Sequence, residues 1–279
     1  MSFVICLWVK GLTVCDAELM KTTLNEKDIK AAVIEKVRTR VEKENAVLIN
    51  EMVIGDGDRR ADLVIANGHM NAFEIKSDVD NLSRLSGQLE SYLSRFDKLT
   101  LVVSSKYIDE ALKTEDRIGV WEAFEKNGAV KIRVRRPGRL ELVSNREDIF
   151  GFMLKSELVS FLRSNDVVMN FKEADRDELI LQAKRFPLSI IRKAAIAFVK
   201  ARYRTLSSNF LNGCSTVVAP SDLMNLSRSK VNRLRLEEEL GLNQCRAPSS
   251  KRREINLSRF FPEGDIPDSM PRYILVPSV

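Results

Sequence analysis

From Asn25 to Glu44 apolar side chains recur every four residues, at Ile29, Val33, Val37 and Val41. That spacing predicts an amphipathic helix, with Asn25 placed to cap it. The period then shortens. Ala46–Ile54 (AVLINEMVI) and Ala61–Ala66 (ADLVIA) read as strands, separated by the turn signal Gly55-Asp56-Gly57-Asp58. Asn67-Gly68 predicts a two-residue hairpin turn into a third strand, Met70–Lys76, antiparallel to the second. Helical spacing returns over Asn81–Phe96, where Leu82, Leu85, Leu89, Leu93 and Phe96 share one side. Leu99–Ser104 (LTLVVS) is the short continuous apolar run of a buried strand.

The order helix, three strands, helix, strand implies an α/β fold with a mixed sheet. A short helix over 108–113 and a strand over 131–135 follow, and Pro137-Gly138 marks a turn just before an expected domain end near Val143. The second domain, 144–279, reads as mainly helical. Helices are expected over Glu147–Ser164, Arg176–Tyr203 (with Pro187 starting or kinking one) and Pro220–Leu240, the last capped by Ser221 and stopped by Gly241. Ala247–Arg253 reads as a basic loop, and the last twenty residues, with four prolines, as irregular or an edge strand.

Composition adds bounds. With 279 residues, 44% of them apolar and 30% charged, the chain suits one large or two modest domains and not wholesale disorder. No run suits a bilayer, so no membrane partner is expected. The apolar start lacks a basic segment and a cleavage site, so no signal peptide is expected. Cys6, Cys15, Cys214 and Cys245 form no close pairs, which fits a cytoplasmic home. The net charge of +6 is unevenly spread: Lys184–Phe260 carries 16 Lys+Arg against 5 Asp+Glu. A basic back part points to a polyanionic partner.

Strand alternation gathers candidate chemistry. Glu51 shares a face with Val47, Ile49 and Val53, and Glu74 and Lys76 share one face of the third strand. Asp62 lies on the neighbouring strand. Carboxylates that close repel one another, and a divalent cation is the usual remedy. Oxygen ligands suit Mg²⁺ or Mn²⁺. Lys76 is placed to serve a water or a developing phosphorane charge.

Asp62, eleven intervening residues, then Glu74-Ile75-Lys76 resembles the D…ExK signature of PD-(D/E)xK, restriction-endonuclease-like nucleases. The longer run FEIKSDVDNLSRLSGQLESY, ending in FDKLTLVVSS, resembles a family of largely uncharacterised bacterial and phage-borne members of that superfamily. The resemblance covers roughly Ile29 to Lys106. It implies a restriction-endonuclease-like core, with Asp62, Glu74 and the carbonyl of Ile75 as ligands of Mg²⁺ (or Mn²⁺) and Lys76 as the catalytic lysine. An additional carboxylate often completes such sites. Glu51 is the choice here by its strand face, and Glu35 on the first helix is the alternative. Gln88 and Tyr92, one helical turn apart, resemble the Q-x-x-x-Y helix that borders the site in some of these nucleases. The residue before Asp62 is Ala61 rather than Pro.

Other features stay bland. Asp56 and Asp58 lack the downstream Glu of a calcium loop, and His69 is the single histidine, beside a turn. No phosphate-binding glycine motif is present. The sequence therefore reads as a metal-dependent nuclease, an endonuclease before an exonuclease, acting on nucleic acid with DNA favoured over RNA. The alternative is a catalytically silent nuclease-fold module that binds DNA, regulates or recruits a protein. A homodimer is left open.

Overall fold

The computed structural model describes residues 23–54, 59–214, 217–227, 250–254 and 273–277. Helix α1 (Glu26–Lys43) forms on its four-residue stripe, and the Asn25 side chain accepts a hydrogen bond from the Asp28 amide at 3.0 Å. That bond satisfies one of the helix's free N-terminal donors. Strands β1 (Val47–Ile54), β2 (Arg59–Ala66), β3 (Met70–Lys76), β4 (Lys98–Ser104), β5 (Gly119–Lys126) and β6 (Ala129–Arg136) make one sheet in chain order. β1, β2 and β3 are antiparallel neighbours, β3, β4 and β5 run parallel, and β6 turns back antiparallel. The parallel steps need crossovers. Helix α2 (Leu85–Leu93) supplies the first, and a 3₁₀ turn (Ser105–Tyr107) with α3 (Ile108–Leu112) the second.

Two turns differ from the sequence reading in an instructive way. The β2–β3 register, Ala66↔Met70 through Leu63↔Phe73, leaves three residues in the hairpin loop, with Gly68 at φ 113°. A two-residue turn at Asn67-Gly68 would have set Asp62 opposite Phe73. The extra residue restores Glu74 to that position, since a one-residue slip exchanges the faces. The two-residue Asn-Gly turn is instead Asn127-Gly128, both at positive φ, between the paired residues Lys126 and Ala129. It joins β6 to β5, a strand that the sequence reading did not place.

Each sheet face has its own core. α1 covers one, packing Ile29, Ile34 and Val37 against Leu48, Leu63, Phe73 and Val102. α2 covers the other, with Leu85, Leu89 and Tyr92 over Val64, Ala72, Leu101 and Val103. Helices α4 (Arg146–Phe150), α5 (Lys155–Ser164), α6 (Arg176–Ala183) and the first turns of α7 (Leu188–Gly213) enclose a third cluster around Phe150, Leu158 and Ile191. α7 starts at Pro187, as expected, and then runs past the sheet. Its Val199 and Tyr203 join the α2-side core and its Phe210 and Leu211 the α1-side core. Between them, the Ser207 hydroxyl accepts the Leu48 amide of edge strand β1 at 2.9 Å. A row of unpaired strand amides is thus met by a helix.

One buried carboxylate ties the helical part to the sheet. Asp97, 2% exposed, accepts from the amides of Met70 (2.8 Å) and Val143 (3.0 Å) and from Arg192 of α7 (2.9 Å). The sheet and α4–α7 belong to one compact unit ending at Ser227, so the expected boundary near Val143 falls inside it; Arg228–Val279 forms a second unit.

Several expected elements are corrected. The helix expected over Asn81–Phe96 is shorter, because the Asn81 side chain accepts from the amide and hydroxyl of Ser83 and holds a turn there. The helix expected over Glu147–Ser164 breaks into α4 and α5 around Gly151. Pro220–Leu226 is a 3₁₀ turn, and the remainder of that expected helix lies largely outside the described residues. Residues 250–253 of the expected basic loop belong to strand β7 (Ser250–Glu254), paired antiparallel with β8 (Tyr273–Pro277) in the second unit. Asp56, Asp58, Cys6, Cys15 and Cys245 lie outside the described residues. Among those described, no helix is long and apolar enough to cross a membrane.

Candidate functional site

The site forms where two paired strands part. β2 and β3 pair as far as Leu63↔Phe73, and in that register Asp62 falls opposite Glu74. In place of a ladder bond, the Asp62 carboxylate accepts the Ile75 amide at 2.7 Å. Glu74 alternates with Met70 and Ala72 on the α2 side and is 2% exposed. Lys76 follows on the same face. Its Nζ donates to Glu74 Oε1 at 2.8 Å and to Gln88 Oε1 of α2 at 3.0 Å. The structure thus brings Asp62, Glu74, Lys76 and Gln88 together.

The surroundings fix this arrangement. Tyr92, fully buried one turn beyond Gln88, donates its hydroxyl to the Arg60 carbonyl at 2.9 Å and so clamps α2 onto the strand that carries Asp62. The loop after Lys76 is tied down at both ends. Asp78 exchanges two hydrogen bonds with Leu24, through its carboxylate (2.8 Å) and its amide (3.1 Å), and the Ser77 amide donates to Asp80 at 2.8 Å.

The electrostatics are those of an under-compensated anionic site. Glu74 Oε2 is buried without a hydrogen-bond partner. Asp62 has its carboxyl pushed up to about 7, first by burial and then by the charge of Glu74, against the Ile75 amide and the Lys30 ammonium, which pull it down. Both features mark a place where negative charge is disfavoured until a cation compensates it.

Glu51 does not join. It sits at φ 55°, exposed, in an ion pair with Arg60 at 3.2 Å. The left-handed residue interrupts the strand alternation, so Met52 and Ile54 return to the core that holds Val47 and Ile49 while Glu51 is turned out. Glu35 is also elsewhere, accepting the Val218 amide at 3.1 Å. The groups that the sequence reading missed are Lys30, Asn50 and Glu26. Lys30 is 3% exposed, donates to Asn50 Oδ1 at 3.1 Å and pairs with Glu26 at 3.0 Å. The charges of both Lys30 and Glu26 reach Asp62. The one available signal was a lysine beside the apolar stripe of α1 with a glutamate four residues before it.

Among the described residues no group of three or more His, Cys, Asp or Glu side chains gathers for a metal. The donor set is Asp62, Glu74 with its orphaned oxygen, and the main chain of Ile75, all hard oxygens. Such a set fits Mg²⁺, which takes one or two carboxylates and keeps several waters.

The basic back part is only partly a surface. Four of its cations serve the fold: Lys184 pairs with Glu147, Arg192 with Asp97, Arg202 with Glu157, and Arg204 donates to Asn45 at 2.8 Å.

Fold and site define a mixed α/β protein with an Asp-Glu-Lys constellation at a splayed strand pair. The family model described as bacteriophage P4 protein cII matches residues 20–227, and the chain belongs to that family. The match ends where the first compact unit ends. A curated relative, "Protein cII" of Enterobacteria phage P4, is 37% identical over 214 residues, covering 76% of this chain and 81% of the relative. Among solved structures, the SPO1766 protein of unknown function from Silicibacter pomeroyi matches 53% of this chain and 99% of its own at 15% identity and a TM-score of 0.35.

Proposed function

We propose that this protein is a metal-dependent phosphodiesterase of the PD-(D/E)xK type, with a restriction-endonuclease-like core, that hydrolyses nucleic acid, DNA before RNA. The observation that carries this reading is the buried, half-satisfied Glu74 beside Asp62, with Lys76 held against it. Asp62, Glu74 and the Ile75 carbonyl would hold Mg²⁺ or Mn²⁺. The bound metal would polarise a phosphoryl oxygen and make a coordinated water more acidic. The chain's own groups do the rest. Asp62 is oriented by the Ile75 amide. Lys76 has three donors, two of them directed at Glu74 and Gln88, which leaves the third for the attacking water or a phosphate oxygen. Gln88 is a positioning residue that sets where that ammonium points. The test is hydrolysis of a panel of duplex, single-stranded and branched DNA and of RNA, with Mg²⁺, Mn²⁺ and EDTA.

A second reading is a catalytically silent module of the same fold that binds DNA, regulates or recruits a protein. It is supported by the outward turn of Glu51, which leaves two carboxylates at the centre, and by the Lys76–Glu74 pair, which partly neutralises Glu74 without a metal. Failure of every nucleic-acid form to be cut with any metal would select it.

A further inference from the structure

The sheet carries the site's face outward to its far edge. The register runs Lys76↔Val103 from β3 to β4, Val103↔Glu122 to β5 and Glu122↔Arg133 to β6. Residues opposite one another across a sheet share a face, so Lys76, Glu122 and Arg133 lie in one transverse row on the α2 side. Three inter-strand steps separate Lys76 from Arg133 by roughly 14 Å. β6 is the edge strand, and Lys131, Arg133 and Arg135 alternate along it on that same side, all exposed.

Glu122 explains why two of these cations are held in place. It is 6% exposed, an unusual position for a carboxylate. Its Oε2 lies 2.8 Å from Arg135 and 3.6 Å from Arg133, and its Oε1 accepts the Ser105 hydroxyl at 2.8 Å. By angle Oε2 makes no hydrogen bond, so these are ion pairs set by distance alone. Arg133 is further braced over the Phe124 ring, 4.6 Å from its centroid. In the gap between site and edge, Lys106 follows β4. It donates to the Asp78 carbonyl at 3.2 Å, two residues past Lys76, and lies over Tyr107.

We infer that Lys106, Lys131 and Arg133, with Arg135 beside them, form a phosphate-binding ridge that seats a duplex DNA backbone across the sheet and leads it to Asp62, Glu74 and Lys76. The inference rests on the proposed function, because the ridge is placed by its continuity with that site. Cations at alternate strand positions stand about 6.8 Å apart, a spacing that meets successive phosphates of one strand. Phe124 and Tyr107 already carry a cation over the ring, so neither offers the open platform on which single-stranded bases stack. Glu122 is the positioning residue of the ridge.

The test is binding of a labelled duplex DNA by the full chain in EDTA, titrated over salt concentration, for wild type and Lys106→Ala/Lys131→Ala/Arg133→Ala. Arg135 is kept so that Glu122 retains its nearest partner and the fold is not confounded. A three-lysine control, Lys43→Ala/Lys155→Ala/Lys172→Ala, removes the same charge from exposed positions off the ridge. Each lost phosphate contact removes about 0.9 from the log–log slope, so the ridge variant should be shallower by about 2 to 3 and the control unchanged. An unchanged slope in the ridge variant, or an equal fall in the control, overturns the ridge even if cleavage is intact. A wild type that binds no duplex in EDTA overturns it too, as does a ridge variant that weakens on single-stranded DNA while its duplex binding is unchanged. Ridge-dependent binding without cleavage under any metal would instead sink the phosphodiesterase reading and leave the ridge standing.

Discussion

Replacing Asp62 by Asn tests the electrostatics of the site without any substrate. In the folded protein, free of metal, the Asp62 carboxyl ionises near pH 7 instead of at its ordinary 3.8. Between those values the native state holds a proton that the unfolded chain has released. Stability therefore falls as pH rises from about 4 to about 7 and is level on either side. The full displacement corresponds to about 4 kcal/mol. Asp62 is partly exposed, so solvent screening cuts this to a penalty on the order of 2 kcal/mol above pH 7. Asn keeps an oxygen for the Ile75 amide and carries no charge to desolvate. In EDTA, Asp62→Asn should match wild type at pH 4 and exceed it by about 2 kcal/mol at pH 8, by urea unfolding followed through tryptophan fluorescence. Adding Mg²⁺ at pH 8 should narrow the gap. Wild type gains about 2.7 kcal/mol at a hundredfold excess over Kd, and the variant, with a ligand charge removed, gains less. A variant that is no more stable than wild type at pH 8 in EDTA, or a difference that does not change with pH, refutes the reasoning.

The other predictions follow from single contacts. Gln88→Ala frees the Lys76 ammonium and should lower cleavage by roughly 10 to 10²-fold while leaving Mg²⁺ stabilisation in place, measured as kcat beside a thermal melt. Glu51→Ala, which removes only a surface ion pair, should change stability by less than about 1 kcal/mol and leave cleavage and metal response at wild-type levels. Asp97→Ala strands two buried amides and the Arg192 guanidinium and should cost about 3–5 kcal/mol in unfolding free energy, with the helices around Ile191 loosening first in hydrogen exchange.

Much of the site was legible because its residues are close in sequence and carried by regular elements. Alternation alone put Glu74 and Lys76 on one face, and the Asn25 cap and the Leu stripe placed the helices on either side. Glu51 was misplaced because alternation assumes an unbroken strand, and nothing local announces a left-handed glutamate. The two Asn-Gly pairs show the same limit. The one at 127–128 makes the two-residue turn, while the one at 67–68 takes His69 into its loop. β5 was missed although Asn127-Gly128 marked its end, because its pattern (GVWEAFEK) mixes Glu with aromatics. Glu122 is held among apolar neighbours by arginines of the next strand, which is a tertiary fact. Lys30 escaped for the same reason, since its partner Asn50 lies on another element. Counting charge toward the C-terminus overstated the free basic surface, because Arg192 and Arg202 are tied to buried or half-buried carboxylates.

Asp62, Glu74 and Lys76 together carry the proposed metal-dependent hydrolysis of phosphodiesters. Its most direct test is single-turnover cleavage of labelled duplex and single-stranded DNA by wild type and Lys76→Ala, each with Mg²⁺ and with EDTA, beside a thermal melt that reports metal binding. Cleavage is expected to require the metal and to fall by at least about 10²-fold in Lys76→Ala, with the Mg²⁺-dependent rise in Tm retained. Cleavage undiminished in EDTA or in Lys76→Ala, or no cleavage of any substrate by wild type, would contradict it.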